Sequence, residues 1–500
     1  MKRTIFSLLV LILPACLFAQ ETTAKLDVSD WGLFSIFEES PQINRIDENT
    51  LYAYYRSTPD KTGIMIFDKK MNIIRDIPIE IMKTRKVVMG QKALSEYLTF
   101  PYTFYRPDNR SIVIVGYTDN GKKSNTVVGA TYSVDGAGLL AMEELRTTVS
   151  DKFMIRHSSN DEFFVVAEYM KAAKGEKTPK VVYDVFNKSC EKIYSATSEY
   201  FKDKENYFYL MDNGELITYN VNEKMRYLTY VFTRHDATGT SQAVTFSPPK
   251  TDVYNYDRFR VFKSPQGEYY STCLKLRSQS EGIAILKLDF DKKTAKKITD
   301  KNFDKATLAR ISTRKTKSVA MLEKDKGKPI EDFDTYYINR VITDDENIYL
   351  ILEDYYTRTV TGKTGTRVTH GSRGIMVACY GHDGKEKWIT PVRRMAARMD
   401  DGMNLLNGNG MAVQISTYDS KDMIYMLVRS GDKTFYTGID KKTGNDITPV
   451  ELIADENIET NANCMAWFDE DEFVILTIRV GALFKRDFWL QSFKVSKPAI

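Results

Sequence analysis

The segment of this chain that brings groups capable of chemistry closest together is Glu353-Asp354-Tyr355-Tyr356, where two carboxylates adjoin two phenols. Paired carboxylates beside tyrosines are the equipment for general acid–base work on a polysaccharide or a peptide. Immediately after them the chain turns basic, with Arg358, Lys363, Arg367, Arg373, Arg393 and Arg394, and with Arg310, Arg314, Lys315, Lys317 and Arg398 on neighbouring segments. Guanidinium forks match carboxylate, sulfate and phosphate groups, which makes these residues candidates for holding an anionic ligand. The competing reading is a set of solvated charges on loops, and of strand-end acids that do nothing.

Other chemistries lack their residues. The four histidines, His157, His235, His370 and His382, do not stand at metal-ligand spacing, and no Cys-x-x-Cys pair occurs, so no metal site is expected. No Gly-x-Ser-x-Gly elbow is present. Gly362-Lys363-Thr364 resembles the end of a phosphate-binding loop, but Thr357 stands where its first glycine belongs. Gly408-Asn-Gly410 lacks the third glycine and the strand-to-helix setting of a dinucleotide site. No cofactor is called for. The chain carries 71 basic and 67 acidic residues, too even a balance for a nucleic-acid partner.

The elements that would have to position these residues repeat along the chain. Eight times an apolar strand, a tight turn rich in Asp, Asn, Ser or Gly, and a second apolar strand follow one another: at 43–55, 102–117, 153–169, 207–220, 258–274, 337–355, 411–429 and 463–479. Seven further turns led by Asp or Asn, at Asp68, Asp135, Asn187, Asp236, Asp291, Asp383 and Asp440, join a third strand to a fourth. Short Asx side chains and Gly suit such turns because they hydrogen-bond their own backbone and tolerate positive φ. A period of about 50 residues built this way predicts an all-β chain folded as a β-propeller of four-stranded blades, eight by this count with seven as the alternative. The last unit runs out after its third strand, at Phe488 to Val495. Because an unpaired edge is a liability, an N-terminal strand is expected to close the ring, with Trp31 to Phe37 as the donor.

Two turns carry resemblances. His382-Asp-Gly-Lys-Glu-Lys-Trp388 and Asp440-Lys-Lys-Thr-Gly-Asn445 resemble the turns of quinoprotein-type propeller repeats, in which Asp, Gly and Trp lock adjacent blades together. Only one unit here carries the Trp, so a quinone cofactor is not implied. Ser133-Val-Asp135 resembles the Asp box of sialidases, with its glycine misplaced. Together with an N-terminal segment ending Phe-Ala-Gln, the blade turns resemble uncharacterised secreted propeller-type proteins of Bacteroidota, a likeness that implies the fold and no activity.

Lys2 and Arg3 precede an apolar run from Ile5 to Phe18, which reads as a signal peptide over 1–19 and leaves one propeller domain over 20–500. Cleavage takes Lys2 and Arg3 away and leaves 69 basic against 67 acidic side chains. Leu13-Pro-Ala-Cys16 also resembles a lipobox, the alternative being a lipid anchor on Cys16. No other run is apolar and long enough to span a membrane. Cys190, Cys273, Cys379 and Cys464 fall in four different units and are expected as buried free thiols. The expected address is outside the cytoplasm: periplasm, outer-membrane surface or medium.

Loop length is asymmetric. Turns on one face of the ring are short, whereas the segments at 78–100, 301–332, 357–373 and 391–409 all fall on the other face. Recognition is carried by long segments on rigid scaffolds. The expected function is therefore a monomeric binding or scaffolding propeller of the cell envelope that engages a protein or an anionic glycan through this face. The alternative is a secreted enzyme acting on polysaccharide or peptide at the mouth of the channel.

Overall fold

The computed structural model describes residues 20–29, 42–58, 61–79, 99–119, 124–136, 138–150, 152–172, 178–199, 207–224, 227–249, 255–276, 280–303, 336–362, 365–392, 415–430, 433–453, 458–480 and 486–496. They form 32 strands in eight four-stranded antiparallel sheets, arranged as the blades of a β-propeller. Blades 1 to 7 are simple meanders over Gln42–Pro78, Thr99–Thr148, Phe153–Glu199, Tyr207–Phe246, Asn255–Asn302, Tyr336–Pro391 and Ile415–Glu451. Blade 8 takes three strands from Ile458–Val495 and its outermost from the N-terminus.

The middle strands explain why the sheets stack. Each is apolar on both faces because each is covered by a blade on either side. In blade 1, Leu51 and Ala53 join Val474 and Leu476 of blade 8, while Tyr52 and Tyr54 join Ile112 and Ile114 of blade 2. This alternation follows from the two-residue period of a strand, and it repeats around the ring as one buried apolar cluster per junction.

Closure is N-terminal, as expected, but the donor is a different segment. Strand β1 (Gln20–Asp27) pairs antiparallel with β32 (Arg486–Val495), from Gln20↔Val495 to Asp27↔Trp489. Ala24, Leu26 and Val28 alternate toward the blade 1–blade 8 cluster, and Lys25 Nζ lies 3.1 Å from the centroid of a Trp489 ring. The two-residue rhythm of Ala-Lys-Leu-Asp-Val is a strand signature that the aromatic run after it overshadowed. Trp31 to Phe37 lie outside the described residues, as do residues 1–19 with Cys16.

The short turns of the first face are tied by their own side chains. Asp68 Oδ1 accepts from the Asn72 N–H at 2.8 Å, and Asp236 Oδ1 accepts from the Thr238 and Thr240 N–H groups at 2.9 and 3.2 Å. The hydrogen bonds from Thr238 hold the Asp236 carboxyl below its ordinary value. Blades also lock at these turns. Trp388 of blade 6 donates to the Lys441 carbonyl of blade 7 at 3.1 Å and lies against Gly444 (φ 74°), where a Cβ would come within 2.5 Å of the indole. Thr390 donates to the Gly444 carbonyl at 2.5 Å, and one junction earlier Thr299 donates to the Gly384 carbonyl at 2.7 Å.

Candidate functional site

Blade 6 departs from the others in the length of its middle strands. It is built from β22 (Tyr336–Thr343), β23 (Asn347–Gly362), β24 (Gly365–Gly381) and β25 (Glu386–Pro391). Strands β23 and β24 have 16 and 17 residues, against 9 and 8 for the corresponding pair in blade 1. Among the described residues, strand β22 pairs with β23 as far as Asp354, and β25 pairs with β24 over Met376–Tyr380. Beyond those limits, among the described residues, β23 and β24 pair only with each other, from Tyr355↔Ser372 to Gly362↔Gly365. Eight residues per strand at about 3.3 Å each give an arm of roughly 26 Å. A bulge between Asp354 and Tyr355, with Arg373 as the extra residue, marks its base.

The segment 357–373, expected as a loop, is thus mostly this hairpin. Arg358 pairs with Thr369 and Arg367 with Val360, so the two arginines occupy positions on the same face of the ribbon. The opposite face has Thr357↔His370, Thr359↔Val368 and Thr361↔Thr366. Lys363, Arg393 and Arg394 lie outside the described residues, as do 80–98 and 304–335, the greater part of two other segments expected to be long.

The candidate acids do not form a pair. Glu353 and Asp354 are consecutive on one strand, whose neighbouring positions belong to opposite faces of the sheet. Glu353 is fully buried, and its Oε2 accepts from Asn339 Nδ2 at 3.0 Å. Blade 3 also buries an acid on its second strand, Glu168, on the face toward the preceding blade, where it is bound by the Arg146 guanidinium and by the Val149 N–H at 2.6 Å. Arg146 also holds Asp184, to which Ser195 donates at 2.6 Å, so this acid is part of a lock between blades 2 and 3.

The histidines are dispersed. Asp161 lies 2.5 Å from His157 Nδ1 on the first face; burial opposes the charged ring, but the hydrogen bond and charge of Asp161 raise its pKa above the ordinary value. His235 is buried between Thr218 and Ser241, and burial lowers its pKa. His382 Nε2 lies 2.9 Å from the Asp344 carbonyl. Among the described residues no three His, Cys, Asp or Glu gather as metal ligands. The four described cysteines are free and buried, and burial pushes the Cys190 and Cys379 thiols up to about 12.

A second set of residues, not singled out from sequence, rings the central channel. The first strand of each blade lies innermost, and a side-chain hydrogen bond crosses each of the eight junctions at this level. Four crossings use neutral donors: Asn44 to Thr103 Oγ1 at 2.8 Å, Tyr102 to the Ile155 carbonyl at 2.8 Å, Tyr209 to the Phe259 carbonyl, and Trp467 to Ser416 Oγ at 3.1 Å. Four use guanidinium groups: Arg45 to the Phe468 carbonyl at 3.0 Å, Arg156 to Phe208 at 3.1 Å, Arg260 to Ile338 at 3.0 Å, and Arg340 to Thr417 at 3.1 Å. An innermost strand has no partner on its channel side, and six of these eight donors satisfy carbonyls that an open edge leaves bare, while Asn44 and Trp467 bind hydroxyls. A faint signal was present in the tripeptide Ile-Asn-Arg, which ends at Arg45 in blade 1 and at Arg340 in blade 6.

With this geometry in view, the chain matches no family model and no curated protein. Among solved structures it is similar to propellers. It aligns with a polysaccharide lyase at 8% identity and a TM-score of 0.35, over 82% of this chain and 94% of that one. The propeller domain of the trilobed protease of Pyrococcus furiosus aligns at 9% identity and 0.35, over 83% and 98% of the two chains. A protein of unknown function from Dyadobacter fermentans aligns at 10% identity and 0.30, over 80% and 95%. At these identities the likeness is one of fold.

Proposed function

We propose that this protein is an exported binding propeller of the cell envelope, which engages an anionic partner, a charged glycan or an acidic protein surface, through the face that bears the blade 6 arm. The observation that carries this reading is the arm itself. Eight residues of each strand continue beyond the described residues of the flanking strands of their own sheet. The pairing gives Arg358 and Arg367 positions on one face of this ribbon, with Arg373 at its base. Of the two acids that would favour catalysis, Glu353 is buried against Asn339 and holds a position on the opposite face of the strand from Asp354. Export rests on the basic and apolar N-terminal segment; cleavage after Ala19 would leave β1 whole as the closing strand.

The test is binding of the mature chain to acidic and neutral polysaccharides and to acidic proteins. Arg358→Gln, Arg367→Gln and Arg373→Gln together should weaken binding to the acidic ligand, and so should added salt, because exposed charges are screened beyond about 8 Å at physiological ionic strength. Lys69 and Lys441 are poor first-face controls, as Lys69 pairs with Glu472 across a junction and Lys441 is buried beside Asp419. The exposed Lys70, Lys293 and Lys442 serve instead. Equal losses from both sets, or none from either, would sink the proposal.

A further inference from the structure

We infer that the wall of the central channel beside blade 6 is an oxyanion site, in which Arg260 and Arg340 hold a sulfate, phosphate or carboxylate group. The two arginines bridge consecutive junctions, blade 5 to 6 and blade 6 to 7, and so flank the inner strand β22 from both sides. The structural task at these junctions does not require charge, since Tyr102 and Tyr209 bind the neighbouring carbonyl with a neutral donor elsewhere in the ring. Arg260 commits Nε to the Ile338 carbonyl, and Arg340 commits Nη1 to the Thr417 carbonyl and hydroxyl. A guanidinium has five N–H donors, so most of each fork stays available.

Neither arginine is ion-paired with a carboxylate among the described residues. The nearest acid to act on Arg340, Asp419, is engaged by Lys441 at 2.8 Å. Arg340 is exposed to solvent at the inner strand of its blade. Positive charge between low-dielectric walls focuses field lines and concentrates anions. Each planar fork carries the parallel N–H pair that oxyanions accept.

This site is separate from the arm, so its test leaves the arm intact. Titrate the mature chain with sodium sulfate, and then with sodium phosphate, against sodium chloride at equal ionic strength, following melting temperature and heat of binding. The wild type should show a saturable stabilisation by sulfate or phosphate beyond the general salt effect, since a ligand that binds only the folded state stabilises it by mass action. Arg260→Gln with Arg340→Gln keeps an N–H donor for each carbonyl and removes the charge, and should weaken the apparent affinity at least about tenfold. Tyr209→Phe, which removes a neutral junction bond, should leave the affinity unchanged. If the double variant does not fold, each single variant should still weaken binding. No saturable effect in the wild type, or the same affinity in the arginine variants, would overturn the inference.

Discussion

The two ends of blade 6 are built from similar residues and do opposite things. At the first-face end its strands stop in tight turns, where Gly384 (φ 85°) accepts a hydrogen bond from Thr299 of blade 5 and Trp388 covers Gly444 of blade 7. At the other end β23 and β24 run on past their neighbours as a two-stranded arm. Threonines serve at both. On the first face Thr299 and Thr390 are spent on holding adjacent blades, while along the arm Thr357, Thr359 and Thr361 succeed one another at alternate positions of the two-stranded ribbon. The difference teaches where this ring can be altered: the first face is tied into the fold by side chains of neighbouring blades, and the arm is the part to which the proposed function assigns binding.

Predictions that probe this contrast begin with the largest effect. Gly384→Ala places a Cβ about as close as the 2.4 Å that separates it from the Ile298 carbonyl oxygen, in a left-handed conformation that alanine adopts poorly. A loss of about 3 kcal/mol in chemical denaturation is expected. A loss below about 0.5 kcal/mol would show that the junction yields more easily than its contacts imply. Thr299→Val keeps the shape and leaves the Gly384 carbonyl without its donor, and should cost about 1 kcal/mol.

Smaller still are the effects of two first-face histidines on pH dependence. His235 has its pKa lowered in the folded state, so its contribution is intact above the unfolded value near 6.5 and is lost as pH falls below that. His157 is raised, so its contribution is present at acid pH and is lost as pH rises through the folded value. Melting curves between about pH 7 and pH 5 should therefore show a shallower acid loss for His235→Gln and a steeper one for His157→Gln. Parallel shifts in the two variants would contradict these assignments.

Much of this architecture was legible in the residues because propeller blades are local. Each hairpin lies within one repeat, and the Asx turns announce themselves. The closing strand was legible in kind but not in place, since Trp31 and its neighbours drew attention from the weaker alternation at Ala24, Leu26 and Val28. The arm was misread because Gly362, Lys363, Thr364 and Gly365 suggest a loop. The alternating β-branched residues on either side, Thr357 to Thr361 and Thr366 to Thr369, carried the hairpin signal all along. The sequence places Glu353 at the end of a hairpin strand, whereas that strand continues to Gly362. The channel arginines could not be read from sequence alone, because ring closure brings Arg45 to a carbonyl 423 residues away.

The central claim is that the arm serves binding and not folding, and shortening it tests that most directly. Residues 356–371 would be replaced by Asn-Gly, a two-residue turn suited to join the paired Tyr355 and Ser372. Melting temperature and affinity for an acidic polysaccharide or protein that the intact chain binds would be measured on the same preparation. An unchanged melting temperature with lost affinity is the result this account predicts; retained affinity, or a ring that no longer folds without its arm, would contradict it.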